Sequence, residues 1–191
     1  MIRETIVTTR NADGVVHIAP LGLIEADEDL IIAPFRPSTT LDNLQSNPHA
    51  VANYCDDVLV FAGCLTGRRD WPTRPATKVP GVVLEQALSH AELAVMSVEE
   101  DASRPRFRCR IVHEEIHAPF QGFNRAQAAV IEAAILVSRL GMLPPEKVDR
   151  EIDYLQIAID KTAGPRERQA WTWLMERVAE HRAGAAGKTQ R

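Results

Sequence analysis

His113 and His117 bracket the segment HEEIH, which matches H-E-x-x-H, a pattern in which two histidines one helical turn apart share a zinc ion. That chemistry needs a helix, and the flanks are those of a strand. RFRCRIV precedes the segment with β-type composition, and Pro119 follows two residues after it. On a strand the two histidines share a face but stand about 13 Å apart. Two zinc bonds of about 2 Å each do not span that gap. The segment is therefore read as a strand whose polar residues meet a partner or solvent, and no metal site is expected.

A second group is set where LIIAPFRPSTTLDNLQSN changes character. An apolar run, Leu30 to Phe35, gives way to Arg36, Ser38, Thr39 and Thr40, and then to a helical spacing carried by Leu41 and Leu44. Free backbone N–H groups and the dipole at a helix start favour an anion. The hydroxyls add donors, Arg36 adds a fixed charge suited to phosphate, and Asn43 falls one turn into the helix. A phosphate site and an ordinary Ser/Thr N-cap both fit these residues.

Two further stretches carry weaker signals. In IVTTRNADGVVHIAPLG, Thr8 and Thr9 end one strand, while His17, Ala19, Pro20 and Gly22 lie on the next. Small residues such as Ala19 and Gly22 let a flat ring approach the backbone; a hairpin with a polar edge fits equally. In APFQGFNRAQ, Asn124 and Arg125 open a helix, either as a cap with a solvated arginine or as a second cation closing over a ligand. Cys55, Cys64 and Cys109 form no C-x-x-C pair and lie in apolar segments, as buried free thiols of a reducing cytoplasm do.

The elements that must position these groups follow from pattern. ETIVTTR, VVHIAPLGLI, DLIIAPF, HAVANYC and DVLVFAGCLT are read as strands, the first two joined by the hairpin signal NADG. TTLDNLQSN is a short helix. GRRDWPTRPATKVPG is a long loop over 67–81, of the length usually functional or disordered. HAELAVMSVEED and RFRCRIVHEEIHA form a long hairpin turning near Ser103 to Pro105. From Phe123 the period becomes helical. Ala126, Val130, Ala133, Val137 and Leu140 mark one helix, Val148, Ile152, Leu155 and Ile159 a second, and Ala170, Trp171, Leu174 and Val178 a third. The layout is an antiparallel β-barrel or sandwich over 1–120, a helical region over 121–183, and a frayed, disordered tail over 184–191.

With 191 residues, 45% of them hydrophobic, the chain can build a core of its own. A net charge of −4 argues against general nucleic-acid binding. No apolar run approaches a membrane span, and MIRETIVTTR enters a strand pattern rather than a signal peptide. A cytoplasmic protein is expected, with no nucleic-acid or membrane partner.

Taken together, ETIVTTRNADGVVHIAPLGL, PFRPSTTLDNLQSNPHAVANYCDDVLVF and PFQGFNRAQAAVIEAAI resemble, in order and spacing, an FMN-binding split-barrel family long of unknown function. That family occurs in archaea and in bacteria with methanopterin-linked one-carbon metabolism. His17 stands where its pattern has a smaller or amide residue. The resemblance implies a six-stranded Greek-key split β-barrel, a homodimer, and FMN at or near the subunit interface. It implies the FMN phosphate near Arg36, Ser38, Thr39, Thr40 and Asn43. It implies the isoalloxazine against the strands bearing Thr8, Thr9, Ala19, Pro20 and Gly22. The function expected is an FMN-dependent oxidoreductase acting on a small molecule, the flavin carrying hydride at N5 with no catalytic side chain assigned. A pterin-type substrate follows from the family's company alone. The rival readings are a non-catalytic flavin carrier or sensor, and an interaction protein that keeps the barrel without the cofactor.

Overall fold

The first reversal of the chain is built by Asn11 and Gly14. The Asn11 side chain accepts from the Val15 amide at 2.8 Å, and Gly14 takes φ +81°, which a residue without Cβ adopts freely. This turn joins β1 (Ile2–Arg10) to β2 (Val16–Ala26) in a register that sets Val7 opposite Ala19 and Glu4 opposite Gly22. The structure, a computed structural model, describes residues 1–189. Two compact units are present: Met1–Asp56 with Arg69–Phe120, and Asp57–Arg68 with the chain from Gln121 onward.

In the first unit, β3 (Asp29–Ile32), α1 (Thr39–Ser46), β4 (His49–Tyr54), β7 (Ser89–Glu99) and β8 (Arg106–Ile116) join the first hairpin. Six antiparallel strands close in the order β1-β2-β3-β8-β7-β4. Alternation sends Val7, Leu23, Ile32, Ala52, Leu93, Phe107 and Cys109 inward, and α1 adds Leu41 and Leu44 to the same core. The six-stranded barrel expected from the resemblance is thus present.

The segment expected as a long loop is not wholly irregular. Its strand β5 (Thr73–Pro75) pairs antiparallel with β6 (Val82–Leu84), setting Thr73 opposite Leu84 and Pro75 opposite Val82. Buried Asn53 ties this small sheet to the barrel, accepting from the Leu84 amide at 2.8 Å and donating to the Ile6 carbonyl at 3.0 Å. Thr8 adds a bond to the Val82 carbonyl.

The second unit is helical: α2 (Val58–Leu65), α3 (Arg125–Ser138), α4 (Pro145–Thr162) and α5 (Pro165–Thr189). Its core gathers Val58, Ala62, Ala126, Val130, Ala133, Ile159, Trp171, Leu174 and Val178. The strand expected at DVLVFAGCLT is therefore corrected to a helix. An apolar run of this length fits a buried strand or a buried helix, and periodicity cannot separate the two. Asp57 decides locally, capping α2 by accepting from the Leu59 amide at 3.1 Å while Arg166 pairs with the same carboxylate. Within the segment expected as a tail, α5 continues to Thr189; residues 190 and 191 lie outside the described residues. No helix among the described residues is long and apolar enough to cross a membrane.

Candidate functional site

Helix α1 begins as the sequence suggests. Ser38 is its N-cap, its Oγ accepting from the Leu41 amide at 3.3 Å. Thr39 is exposed at the helix start, while Thr40 and Asn43 face inward. Asn43 Nδ2 donates to Thr9 Oγ1 at 2.9 Å, fixing the helix against the end of β1. A cavity of about 210 Å³ opens here, lined by Thr39, Asn43, His17 and Arg69 among others. Ligand pockets for a whole drug-sized molecule run to about 300–1,000 Å³, so this corner has room for only one end of such a ligand. Its donors are a hydroxyl, an amide, an imidazole and a guanidinium beside the N-terminus of a helix, a set suited to a phosphate. Burial, and then the charge of Arg69, hold His17 below its ordinary pKa, so it is a neutral ring at neutral pH.

The cation at this corner is not the one expected. Arg36 turns to the β7–β8 connection, where its Nη2 donates to Glu100 at 2.6 Å and its Nε to the Asp101 carbonyl at 3.2 Å. Arg69, from the segment after α2, stands at the cavity instead. The remaining candidates divide. Thr9, Ser38, Thr39, Thr40 and Asn43 come together around α1. Thr8 holds the small sheet through its bond to the Val82 carbonyl. Ala19 and Pro20 are half-buried on β2 opposite Val7 and Ile6. The open face expected at Gly22 is filled from within the chain: a Cβ there would stand 2.9 Å from Ile2 Cγ2. Asn124 caps α3, accepting from the Ala126 amide at 2.8 Å and donating to the Thr162 carbonyl at 3.1 Å. Arg125 lines a cavity of about 260 Å³ in the helical unit with Glu132 and Tyr154.

A larger cavity, about 800 Å³, lies at the other end of β1, lined by Ile2, Arg3, Glu4, Tyr54, Ser89 and Ile116 among others. Burial first, and then Glu114, push the Tyr54 phenol above its ordinary pKa, so it keeps its proton as a donor. From Glu4 to Arg10 the strand spans about 20 Å, which separates this cavity from the α1 corner.

Neither reading of HEEIH prepared for the third arrangement. His113 to Ile116 end strand β8, as their composition predicts, and His117 follows directly. But His90 of β7 lies between the two histidines, its ring centroid 5.8 Å from that of His113 and 5.0 Å from that of His117. His90 is wholly buried; its Nδ1 is 2.8 Å from His117 Nε2, and its Nε2 is 3.4 Å from Glu92 Oε1. Arg74 of β5 donates to His117, its Nη2 standing 2.7 Å from Nε2 and 3.0 Å from Nδ1. Glu92, also buried, accepts from the amides of Thr77, Lys78 and Val79 at 2.6, 2.6 and 2.8 Å. Burial pushes its carboxyl upward, yet those three amides and His90 outweigh it and hold the pKa below its ordinary value. Because the Glu92 carboxylate only accepts, His90 Nε2 carries the proton toward it, which leaves His90 Nδ1 with its lone pair facing His117. The sequence signal was H-x-E on one strand facing H-x-E-x-H on its hairpin partner, visible only when the two strands are read together.

A closed six-stranded antiparallel barrel with a donor-lined corner at its short helix has the fold of the FMN-binding split barrels. Within that class, the chain belongs to the family described as protein of unknown function (DUF447). The family's N-terminal domain model matches residues 3–118, and its C-terminal model matches residues 124–176. The FMN-bound protein MM1853 from Methanosarcina mazei is similar over 92% of this chain and 94% of its own, with a TM-score of 0.81 at 18% identity. The 2-nitrobenzoate 2-nitroreductase NbaA of Pseudomonas fluorescens covers 60% of this chain and 64% of its own, with a TM-score of 0.51 at 18% identity. The flavin reductase PheA2 covers 60% of this chain and 78% of its own, with a TM-score of 0.51 at 16% identity. No curated protein matches the chain.

Proposed function

We propose that this protein binds FMN, with the phosphate at the α1 corner, and works as a flavin-dependent oxidoreductase. The observation that carries the reading is the convergence of Thr39, Asn43, His17 and Arg69 on one cavity at a helix N-terminus. That donor set fits a phosphomonoester dianion: Arg69 supplies the charge, Thr39 and the first-turn amides the short hydrogen bonds, and neutral His17 a further donor. When bound, the flavin supplies the hydride chemistry. The chain's own residues anchor and orient it. Thr9 holds Asn43, and Ser38 shapes the helix start, so the donors are fixed before the ligand arrives. The kinship of fold with an FMN-bound protein, a nitroreductase and a flavin reductase supports the assignment.

A homodimer belongs to the same proposal. Met1, Ile2 and Ile116 are 72%, 62% and 81% exposed around the larger cavity, an apolar surface suited to a second copy.

The test is the purified protein itself. A flavin absorption band with FMN identified by mass, bleached by a nicotinamide under anaerobic conditions and restored by turnover of an acceptor, is the expected result. A colourless protein that takes up no added FMN overturns the proposal. A yellow protein that no nicotinamide reduces overturns the nicotinamide-linked oxidoreductase and leaves a carrier.

A further inference from the structure

We propose that His90, His113 and Glu115 form a binding site for a divalent first-row transition-metal ion on the outer face of the β7–β8 hairpin. The register places His90 opposite Glu115 and Glu92 opposite His113. Alternation then turns all four side chains to one face. A β-bulge between Glu92 and Leu93 follows directly. One ligating atom from each of His90, His113 and Glu115 lies within 4.8 Å of the other two. The two imidazoles come from different strands, which removes the objection that two histidines four apart on one strand cannot share an ion.

The site has the supporting shell that metal-binding histidines use. Glu92 faces His90 Nε2 at 3.4 Å, and three backbone amides hold Glu92 in turn. A carboxylate behind the ring fixes its tautomer and leaves the other nitrogen with its lone pair. In the metal-free arrangement His117 Nε2 faces that nitrogen at 2.8 Å. An ion replaces this one contact, and Glu92 keeps its own hydrogen bond. The His113 and Glu115 side chains are 27% and 48% exposed, so both can rotate to close the distances to the about 2.0–2.2 Å that such bonds require.

Ligand chemistry and charge set the class of ion. Two imidazole nitrogens and one carboxylate suit Zn²⁺, Co²⁺ or Ni²⁺, whereas Mg²⁺ and Ca²⁺ take oxygen ligands. Glu92 and Glu115 bring two negative charges, and Arg74, on His117, offsets one. The balance still favours a dication. Three protein ligands leave coordination positions open toward solvent.

The experiment uses the full, untagged chain stripped with a chelator and titrated with Co²⁺, whose visible absorption reports ligation. The expected result is one equivalent bound per chain, displaced by Zn²⁺ and not by Mg²⁺. His113→Ala and Glu115→Gln, both at partly exposed positions, should each weaken binding at least about tenfold with the circular dichroism unchanged. Uptake by the native chain no greater than by the His113→Ala/Glu115→Gln double variant would overturn the proposal. So would displacement of Co²⁺ by Mg²⁺ at equal concentration. FMN content plays no part in the readout, so this site and the flavin site stand or fall separately.

Discussion

Asn43 donates a buried 2.9 Å hydrogen bond to Thr9, joining the first turns of α1 to the end of β1. Both residues are almost wholly excluded from solvent. Asn43→Ala strands the Thr9 hydroxyl and should cost about 1–3 kcal/mol of stability. It should also weaken FMN binding, because Asn43 lines the corner. Urea unfolding midpoints and flavin titration of the same variant check both effects.

The two arginines near α1 are predicted to differ. With the phosphate at the proposed corner, Arg69→Gln would remove a charge-assisted contact worth about 1.5–3 kcal/mol and should weaken FMN about 10- to 100-fold. Arg36→Gln should change affinity little, since Arg36 is engaged by Glu100 and the Asp101 carbonyl. Quenching of flavin fluorescence on binding measures both. A larger loss at Arg36 would mean that the phosphate sits elsewhere.

Glu92 holds three backbone amides, those of Thr77 and Lys78 on exposed residues and that of Val79 on a buried one. Glu92→Ala should therefore destabilise the protein by about 1–3 kcal/mol, the cost of the one buried donor left unpaired. The local signature is faster hydrogen exchange at Thr77, Lys78 and Val79. An unaltered exchange rate at those three amides would refute the clamp.

Burial, followed by the nearby charge of Asp29, pushes the Cys109 thiol up to about 12. In the unfolded chain a thiol ionises near about 8.5. The folded state thus keeps a proton that the unfolded state gives up, and stability on this account falls as pH rises above about 8.5. The slope is at most about 1.4 kcal/mol per pH unit. Cys109→Ala should flatten it in denaturation curves taken between about pH 8 and pH 10. In the native protein Cys109 should stay unreactive toward a thiol reagent over that range.

Much of the architecture was legible because it rests on local signals. Asn11 to Gly14 announced the first hairpin, Leu41 and Leu44 the short helix, and the stripes after Phe123 the C-terminal helices. DVLVFAGCL was misread because every face of it is apolar, so burial in a helical core and burial in a sheet leave the same pattern. The α1 hydroxyls and Asn43 were legible as a helix start. Arg69 was not, because nothing in sequence distance says which arginine of GRRDW returns to meet Thr39 and Asn43. At Gly22 sequence alone does not show that Ile2, across the hairpin, takes up the space a side chain would fill. The histidine cluster needed the β7–β8 register, which periodicity on either strand alone does not supply.

The grip of Glu92 on Thr77, Lys78 and Val79 has an evolutionary corollary. It seizes peptide groups, which every non-proline amino acid possesses, and ignores what each position carries beyond its Cα. Descendants of this gene are therefore free to rewrite the chemical face of that turn without redrawing its outline, so long as an acid stays at position 92 and no proline enters those three places.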